Sequence, residues 1–245
     1  NLISQPHFNM SEVKNIPRLR FPEFEKKYIL KTLDEITHSI KSGKSKSNDS
    51  GDYALYGSTG KIGFTNDTIT GDVILVARVG ANAGKINRVK GQFGVSDNTL
   101  VVEVIDNIVT TYLYNFLIKF NLNKLTFGSG QPLVTGGQLK KIRLLTPTLP
   151  EQQKIASFLT SVDKKINLLT KKKALLKTYK KGVMQKIFSQ EIRFKDEVGK
   201  DFPDWEDKKL CDIAFKVSSN ISANKIENNF GDYVIYGASG VLKKI

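Results

Sequence analysis

Leu145-Thr146-Pro147-Thr148-Leu149-Pro150-Glu151-Gln152-Gln153-Lys154-Ile155-Ala156 marks the point at which the sequence changes texture. Upstream, glycines 57, 60, 63, 80, 84, 91, 94, 128, 130, 136 and 137 punctuate short β-branched runs, the pattern of tight loops on a sheet scaffold. Downstream, from Pro150 to about Ser189, no further proline and only Gly182 interrupt the chain, and apolar residues recur at heptad spacing. Ile155, Val162, Leu169, Leu176 and Val183 lie seven apart, and Leu159, Ile166 and Ile187 form a second row broken by Lys173 and Lys180. Pro150 followed by Glu151 suits a helix start, where a missing N–H costs nothing and an acid faces the positive end of the helix dipole. Some 39 residues at 1.5 Å rise predict a helix about 58 Å long. Its own domain is too short to bury that seam, so a second helix is expected against it.

Working upstream, Asp72–Val79, Thr99–Ile105 and Leu139–Leu145 read as strands, and Val109–Phe120 as a helix capped by Asp106-Asn107. His38, within the pattern Leu33, Ile36, Ile40, is expected on a helix surface. Downstream, Gly51-Asp52-Tyr53-Ala54-Leu55-Tyr56-Gly57-Ser58-Thr59-Gly60 returns as Gly231-Asp232-Tyr233-Val234-Ile235-Tyr236-Gly237-Ala238-Ser239-Gly240. Arg20-Phe21-Pro22-Glu23-Phe24-Glu25 is echoed by Asp201-Phe202-Pro203-Asp204-Trp205-Glu206, and Leu33-Asp34-Glu35-Ile36 by Leu210-Cys211-Asp212-Ile213. A period near 180 residues is too long for a solenoid and reads as a duplicated domain. The expected organisation is a tail over 1–16, in which Asn1–Asn9 precede a natural start near Met10, an α/β (α+β) domain over 17–149, a long coiled-coil helix over 150–190, and the incomplete start of a second copy over 191–245.

The 245 residues carry 38 Lys+Arg against 24 Asp+Glu, a formal charge of +14, and 40% of them are hydrophobic, enough for real cores. No apolar run approaches the ~18 residues of a membrane span, the longest being Val73–Ala77, and the first 20 residues lack a secretory core, so the cytoplasm is the expected compartment and no membrane partner is expected. One cysteine and two histidines cannot build a disulfide framework or a His/Cys zinc site. The excess positive charge favours a polyanionic partner, because neutralising phosphates releases condensed counterions. Ten lysines against Glu151 and Asp163 give the long helix a surplus of +8. They either solvate a coiled-coil face or approach phosphates or an acidic partner.

Catalytic motifs are missing. Gly80-Ala81-Asn82-Ala83-Gly84-Lys85 resembles a phosphate loop but has one residue too few between its glycines, and Ile86 replaces the required hydroxyl residue. The acids around Pro203-Asp204 crowd into one local segment that the first repeat also carries, so they suit a domain-opening motif better than a nuclease site. No Gly-x-Ser-x-Gly elbow, dinucleotide fingerprint or Asn/Asp-Pro-Pro-aromatic methyltransferase element occurs.

Leu19-Arg20-Phe21-Pro22-Glu23-Phe24, Tyr56-Gly57-Ser58-Thr59-Gly60-Lys61-Ile62-Gly63, Gly71-Asp72-Val73-Ile74-Leu75-Val76 and above all Leu145–Ala156 resemble the specificity subunits of Type I restriction-modification systems. The resemblance implies target-recognition domains that each grip half of an interrupted double-stranded DNA sequence, held apart by long antiparallel helices. It implies methyltransferase subunits and restriction/translocase subunits as partners. S-adenosylmethionine, ATP and Mg are then expected on those partners, with no cofactor and no catalysis in this chain. The sequence departs from the family pattern in lacking a complete second domain and helix. A homodimer through Ile155, Leu159, Val162, Ile166, Leu169, Leu176, Val183 and Ile187, reading a symmetric site, is therefore expected.

Base and phosphate contacts need donors on loops. The candidates are Ser58, Thr59 and Lys61 in the repeated glycine-flanked loop, with Lys61 on phosphate. Arg78, Asn82 and Lys85 follow across a glycine-rich turn, and Arg88 and Lys90 extend that basic cluster. Ser129 and Gln131 lie in a polar loop, and Lys140, Lys141 and Arg143 offer further phosphate contacts. Tyr53 and Tyr56 suit a scaffold role. Two alternatives stand beside this reading: the detached recognition module of a related restriction enzyme, and a basic coiled-coil scaffold that never reads DNA sequence.

Overall fold

The computed structural model describes residue 17 and residues 19–126, 132–217, 233–237 and 240–244. The chain divides into two units, residues 1–176 and 177–245.

The first unit opens with β1 (Ile29–Thr32), a 3₁₀ turn at Asp34–Ile36 and β2 (Thr37–Ser42). Then come β3 (Tyr53–Gly57), β4 (Gly60–Thr65), β5 (Ile69–Ala77), β6 (Ile86–Val95) and β7 (Thr99–Val104). Helix α1 (Thr110–Phe120), a 3₁₀ turn at Leu122–Leu125, helix α2 (Gly136–Lys140), β8 (Arg143–Thr146) and helix α3 (Leu149–Phe188) complete the series. Six strands form one mixed sheet in the order β2-β7-β5-β6-β3-β4, in which only the β3–β6 pair is parallel. A separate antiparallel pair, β1 with β8, brings Ile29 opposite Thr146 and Thr32 opposite Arg143.

The unbroken apolar run at 73–77 follows from β5 lying mid-sheet with both faces covered. Ile74 and Val76 pack with Leu33, Ile36, Leu113, Leu117 and Leu139 in the larger core. Val73 and Leu75 turn the other way, onto Phe93, Val95 and Val101.

The mixed α/β fold, the strands around Asp72–Val79 and Thr99–Ile105, the helix near Val109–Phe120 and the long helix all stand as the sequence suggests. Three readings do not. Leu139 and Lys140 belong to α2 and not to a strand, because Thr135 caps that helix through a reciprocal box with Gln138, so that β8 begins only at Arg143. His38 lies on β2 and not on a helix, since helical geometry ends at Ile36, Thr37 is extended, and the segment pairs with β7. Asp106-Asn107 does not cap α1 with a side chain: the N-cap is Val109, whose amide is satisfied from elsewhere in the chain.

In the second unit, helix α4 (Leu210–Ile213) precedes β9 (Val234–Gly237) and β10 (Gly240–Lys244), which form an antiparallel pair. Gly237 faces Gly240 as Gly57 faces Gly60. Gly60 and Gly240 both adopt the left-handed backbone, at φ +106° and +114°, that a residue with a Cβ enters only under strain. The short helical turn also recurs, as Asp34–Ile36 and as Leu210–Ile213.

Candidate nucleic-acid interface

The segment after β5 is a tight loop held from several sides. Ala77 N donates to Lys85 O at 2.8 Å, Gly84 N to Ala77 O at 2.8 Å, and Lys85 N to Asn82 O at 2.8 Å. Arg78 N donates to Asn98 O at 2.9 Å and Val134 N to Arg78 O at 2.8 Å, tying the loop to its neighbours on both sides. Gly84, at φ +86°, lies so close to the 3₁₀ turn after α1 that a Cβ there would sit 2.6 Å from Asn123 N. Only glycine permits this contact, which locks the loop down.

On this locked loop Arg78 is half-buried, and its guanidinium approaches Ser42 Oγ at 3.4 Å with no carboxylate paired to it among the described residues. Asn82 is half-buried and Lys85 exposed on the same turn. The β3–β4 hairpin, with Ser58-Thr59 at its tip, connects to this loop through backbone links: Ser96 N donates to Tyr56 O, Thr99 N to Ser96 O, and Asn98 O accepts from Arg78 N. Lys61 lies with its Nζ 4.0 Å from the centre of the Phe64 ring, a cation–π contact that leaves its charge at the surface.

The structure thus brings Arg78, Asn82 and Lys85 onto one loop, with Ser58 and Thr59 at the tip of the β3–β4 hairpin. Arg88 and Lys90 are not on that loop. Arg88 is held in a two-bond fork by Asp72, with Nε 2.8 Å from Oδ1, and both residues line a cleft with Thr111, Asn115 and Asp163, between β6, α1 and α3. Strand β6 runs past the loop and carries them to the helix side of the domain. Lys140 pairs with Asp34 at 3.0 Å, and Lys141 and Arg143 are exposed beyond it. Ser129 and Gln131 lie outside the described residues.

A second constellation escaped the motif reading. Glu151, credited above only with facing the helix dipole, is fully buried, 0% exposed. Arg20 donates to its two oxygens from Nε and Nη2, both at 2.7 Å, and Tyr28 Oη donates to Oε1 at 2.8 Å. Arg20 also stacks over the Tyr28 ring at 5.1 Å and donates to Lys26 O. Burial, with the Glu151 bond adding to it, pushes the Tyr28 hydroxyl up to about 12. Gln152, 1% exposed, accepts from Val109 N at 2.9 Å and donates to Asn107 O and Pro147 O at 3.3 and 3.0 Å. It therefore supplies the α1 cap that Asp106-Asn107 do not. At the rim of the joint Lys154 pairs with Glu23 at 3.3 Å, and Phe158 meets Phe21 edge-on at 5.9 Å. The Glu23 carboxyl is held below its ordinary range by its own backbone amide first and by Lys154 second.

Beyond this joint α3 is open. Of its 40 residues only Glu151, Gln152 and Ala156 are buried. Ile155 and Leu159 are half-buried, whereas Val162, Ile166, Leu169 and Leu176 are exposed, joined by Leu168 and Leu175, which the heptad count left out. Val183 and Ile187 are half-buried. No helix among the described residues is long and apolar enough to cross a membrane, and no group of three or more His, Cys, Asp or Glu among them could hold a metal ion.

The family model described as the Type I restriction modification DNA specificity domain matches residues 25–178. The EcoprrI specificity subunit of Escherichia coli is 31% identical over 163 residues, 62% of this chain and 40% of that protein. The MjaVIII specificity subunit of Methanocaldococcus jannaschii is 33% identical over 149 residues, 57% of this chain and 35% of its own length. The chain thus spans less than half of these relatives. Among solved structures, the S subunit from M. genitalium superposes with a TM-score of 0.51 at 19% identity over 70% of this chain and 47% of its own, and the HsdS subunit from Thermoanaerobacter tengcongensis with 0.50 at 17% over 67% and 46%. The matched stretch takes in Tyr28, the sheet with its loops and most of α3 and makes up well over half of the chain, which therefore belongs to the Type I restriction-modification DNA specificity family.

Proposed function

We propose that this chain is the sequence-reading subunit of a Type I restriction-modification assembly, with residues 17–149 recognising one half of an interrupted double-stranded DNA target. It performs no catalysis itself. Methyltransferase and restriction/translocase subunits supply the chemistry together with S-adenosylmethionine, ATP and Mg. The observation that carries this reading is Arg78: a half-buried guanidinium on a rigid loop with no carboxylate to neutralise it. A fork of five donors held in that way suits the paired acceptors of a guanine edge or a phosphate. Asn82 and Lys85 set further donors on the same loop, Ser58 and Thr59 offer theirs from the β3–β4 hairpin, and Lys61 contributes positive charge. Lys90, Lys140 and Lys141 serve phosphates at the periphery.

The exposed row from Val162 to Leu176 supports pairing of α3 with a second long helix, from another copy of this chain or from the repeat begun at 191–245. A homodimer of that kind presents two identical domains to a symmetric interrupted site.

The test is selection of duplexes from a random pool by the purified chain with its methyltransferase subunit, followed by binding measurements over a salt series. Arg78→Ala is expected to weaken the enriched duplex by about 10- to 100-fold while leaving unrelated DNA nearly unaffected, whereas Lys85→Ala lowers the salt slope by about one without changing sequence preference. Binding that follows salt but never sequence would sink the proposal in favour of a basic scaffold.

A further inference from the structure

The hydrogen bonds, ion pair and ring contact described above that hold α3 to its domain are concentrated in its first ten residues. The Arg20–Glu151 fork, the Tyr28–Glu151 bond, the three bonds of Gln152, the Lys154–Glu23 pair and the Phe21–Phe158 contact all lie there. Residues 161–176 are exposed without exception, and the approach of Thr160 and Asp163 to the domain beyond the joint is an open cleft with Arg88 and Lys90. From Glu151 to Leu176 the helix runs 25 residues, about 38 Å at 1.5 Å per residue. A tilt of roughly 5° at the joint moves the far end of that lever by about 3.3 Å, close to the 3.4 Å rise of one base pair. A helix that separates two recognition domains therefore has to be aimed within a few degrees.

The groups at the joint have the geometry to aim it. The Arg20 guanidinium is planar and makes two bonds to one carboxylate, a third to Lys26 O, and a stacking contact with the ring whose hydroxyl donates to that same carboxylate. Two donors in a rigid fork fix orientation, whereas a single lysine ammonium fixes only distance. Glu151 opens the last exit from the domain and Arg20 the first entry, so one carboxylate joins residues 131 apart.

We propose that Arg20, Tyr28 and Glu151 are positioning residues that set the direction in which the long helix leaves the recognition domain, and thereby the spacing between the half-sites that the assembled protein reads. The second clause rests on the DNA-reading function proposed above; the first stands without it.

Two experiments on the full chain separate them. In a Cys211→Ser background, nitroxide labels at His38→Cys on β2 and Lys171→Cys on α3 report one narrow distance distribution by pulsed electron resonance. Arg20→Lys is expected to broaden it at least twofold with helix content unchanged by circular dichroism. Tyr28→Phe, which removes one bond and keeps the ring, is expected to broaden it less and decides the matter should Arg20→Lys not fold. An unchanged distribution in the folded variants overturns the joint. In the selection from a random duplex pool, both variants are expected to enrich the wild-type half-sites with spacers spread over two or more neighbouring lengths, and with affinity for a single half-site within twofold of wild type. A single unchanged spacer despite a broadened distance overturns the link to spacing, and an equal loss of affinity on all duplexes marks the joint as merely structural. Failure of the wild-type chain to enrich any sequence counts against DNA reading, while the distance measurement still decides the joint.

Discussion

The two ends of the first 28 residues of α3 differ in kind. At Glu151 and Gln152 the helix is sealed by six side-chain hydrogen bonds to residues of the domain, and both side chains are buried. From Val162 to Leu176 it shows leucine, isoleucine and valine to solvent. The first end is polar and covered; the second is apolar and uncovered. Buried polar groups persist only when satisfied, and a long apolar row persists in water only when something covers it. The contrast teaches that the joint is satisfied where it stands, whereas the seam from Val162 to Leu176 is exposed in the first unit.

The largest expected effect comes from breaking the uncovered end. Leu169→Lys with Leu176→Lys places charges in the seam and is expected to reduce a self-associated form, near twice 27.4 kDa, to a species of 27.4 kDa by light scattering at tens of micromolar. Thermal unfolding of the domain stays unchanged in that variant. A wild-type chain that is already monomeric would leave the seam to a helix of another chain.

Next comes the sealed end. Gln152→Ala leaves Val109 N and the carbonyls of Asn107 and Pro147 without their partner, at a cost of about 2 to 3 kcal/mol. Chemical denaturation should show the loss in the midpoint, with self-association retained. A smaller effect separates the two ends by pH. The folded state holds Tyr28 protonated up to about 12, above its ordinary value near 10, so its contribution is full below pH 10 and is lost as pH rises toward 12. Tyr112, raised further by burial, adds to the same alkaline loss. Stability measured from pH 9 to 12 should fall less steeply in Tyr28→Phe than in wild type. The smallest change sharpens the open end: Lys173→Leu closes one of the two breaks in the second row of the seam and is expected to tighten self-association about tenfold and to weaken its dependence on salt.

How much of this was legible depended on distance along the chain. The long helix, the β5 run and the glycine-rich turn after Arg78 are local patterns, and the structure has a helix, a strand and a turn where the spacing put them. Gln152 caps a helix that starts 43 residues earlier, and Arg20 reaches Glu151 across 131 residues. No window of local sequence carries such partners, so Asp106-Asn107 looked like the cap and Glu151 like an acid that only faces the helix dipole. Arg88 and Lys90 were grouped with Arg78 because they are near it in sequence; a ten-residue strand carries them to another face. Leu168 and Leu175 were passed over because a strict heptad admits two positions and this helix exposes a third.

The antiparallel pairing of β1 with β8 has one more consequence. Ile29–Thr32 brings the chain into the first domain, and Arg143–Thr146 takes it out alongside, on strands about 5 Å apart. The stretch between them behaves as a cassette with both ends at one door. Gene exchange with crossovers inside those two strands would replace the loop rim and the sheet in a single event. Arg20, Tyr28, Glu151 and the whole of α3 would stay in place. A lineage can in this way acquire a new vocabulary without relearning how to hold the book.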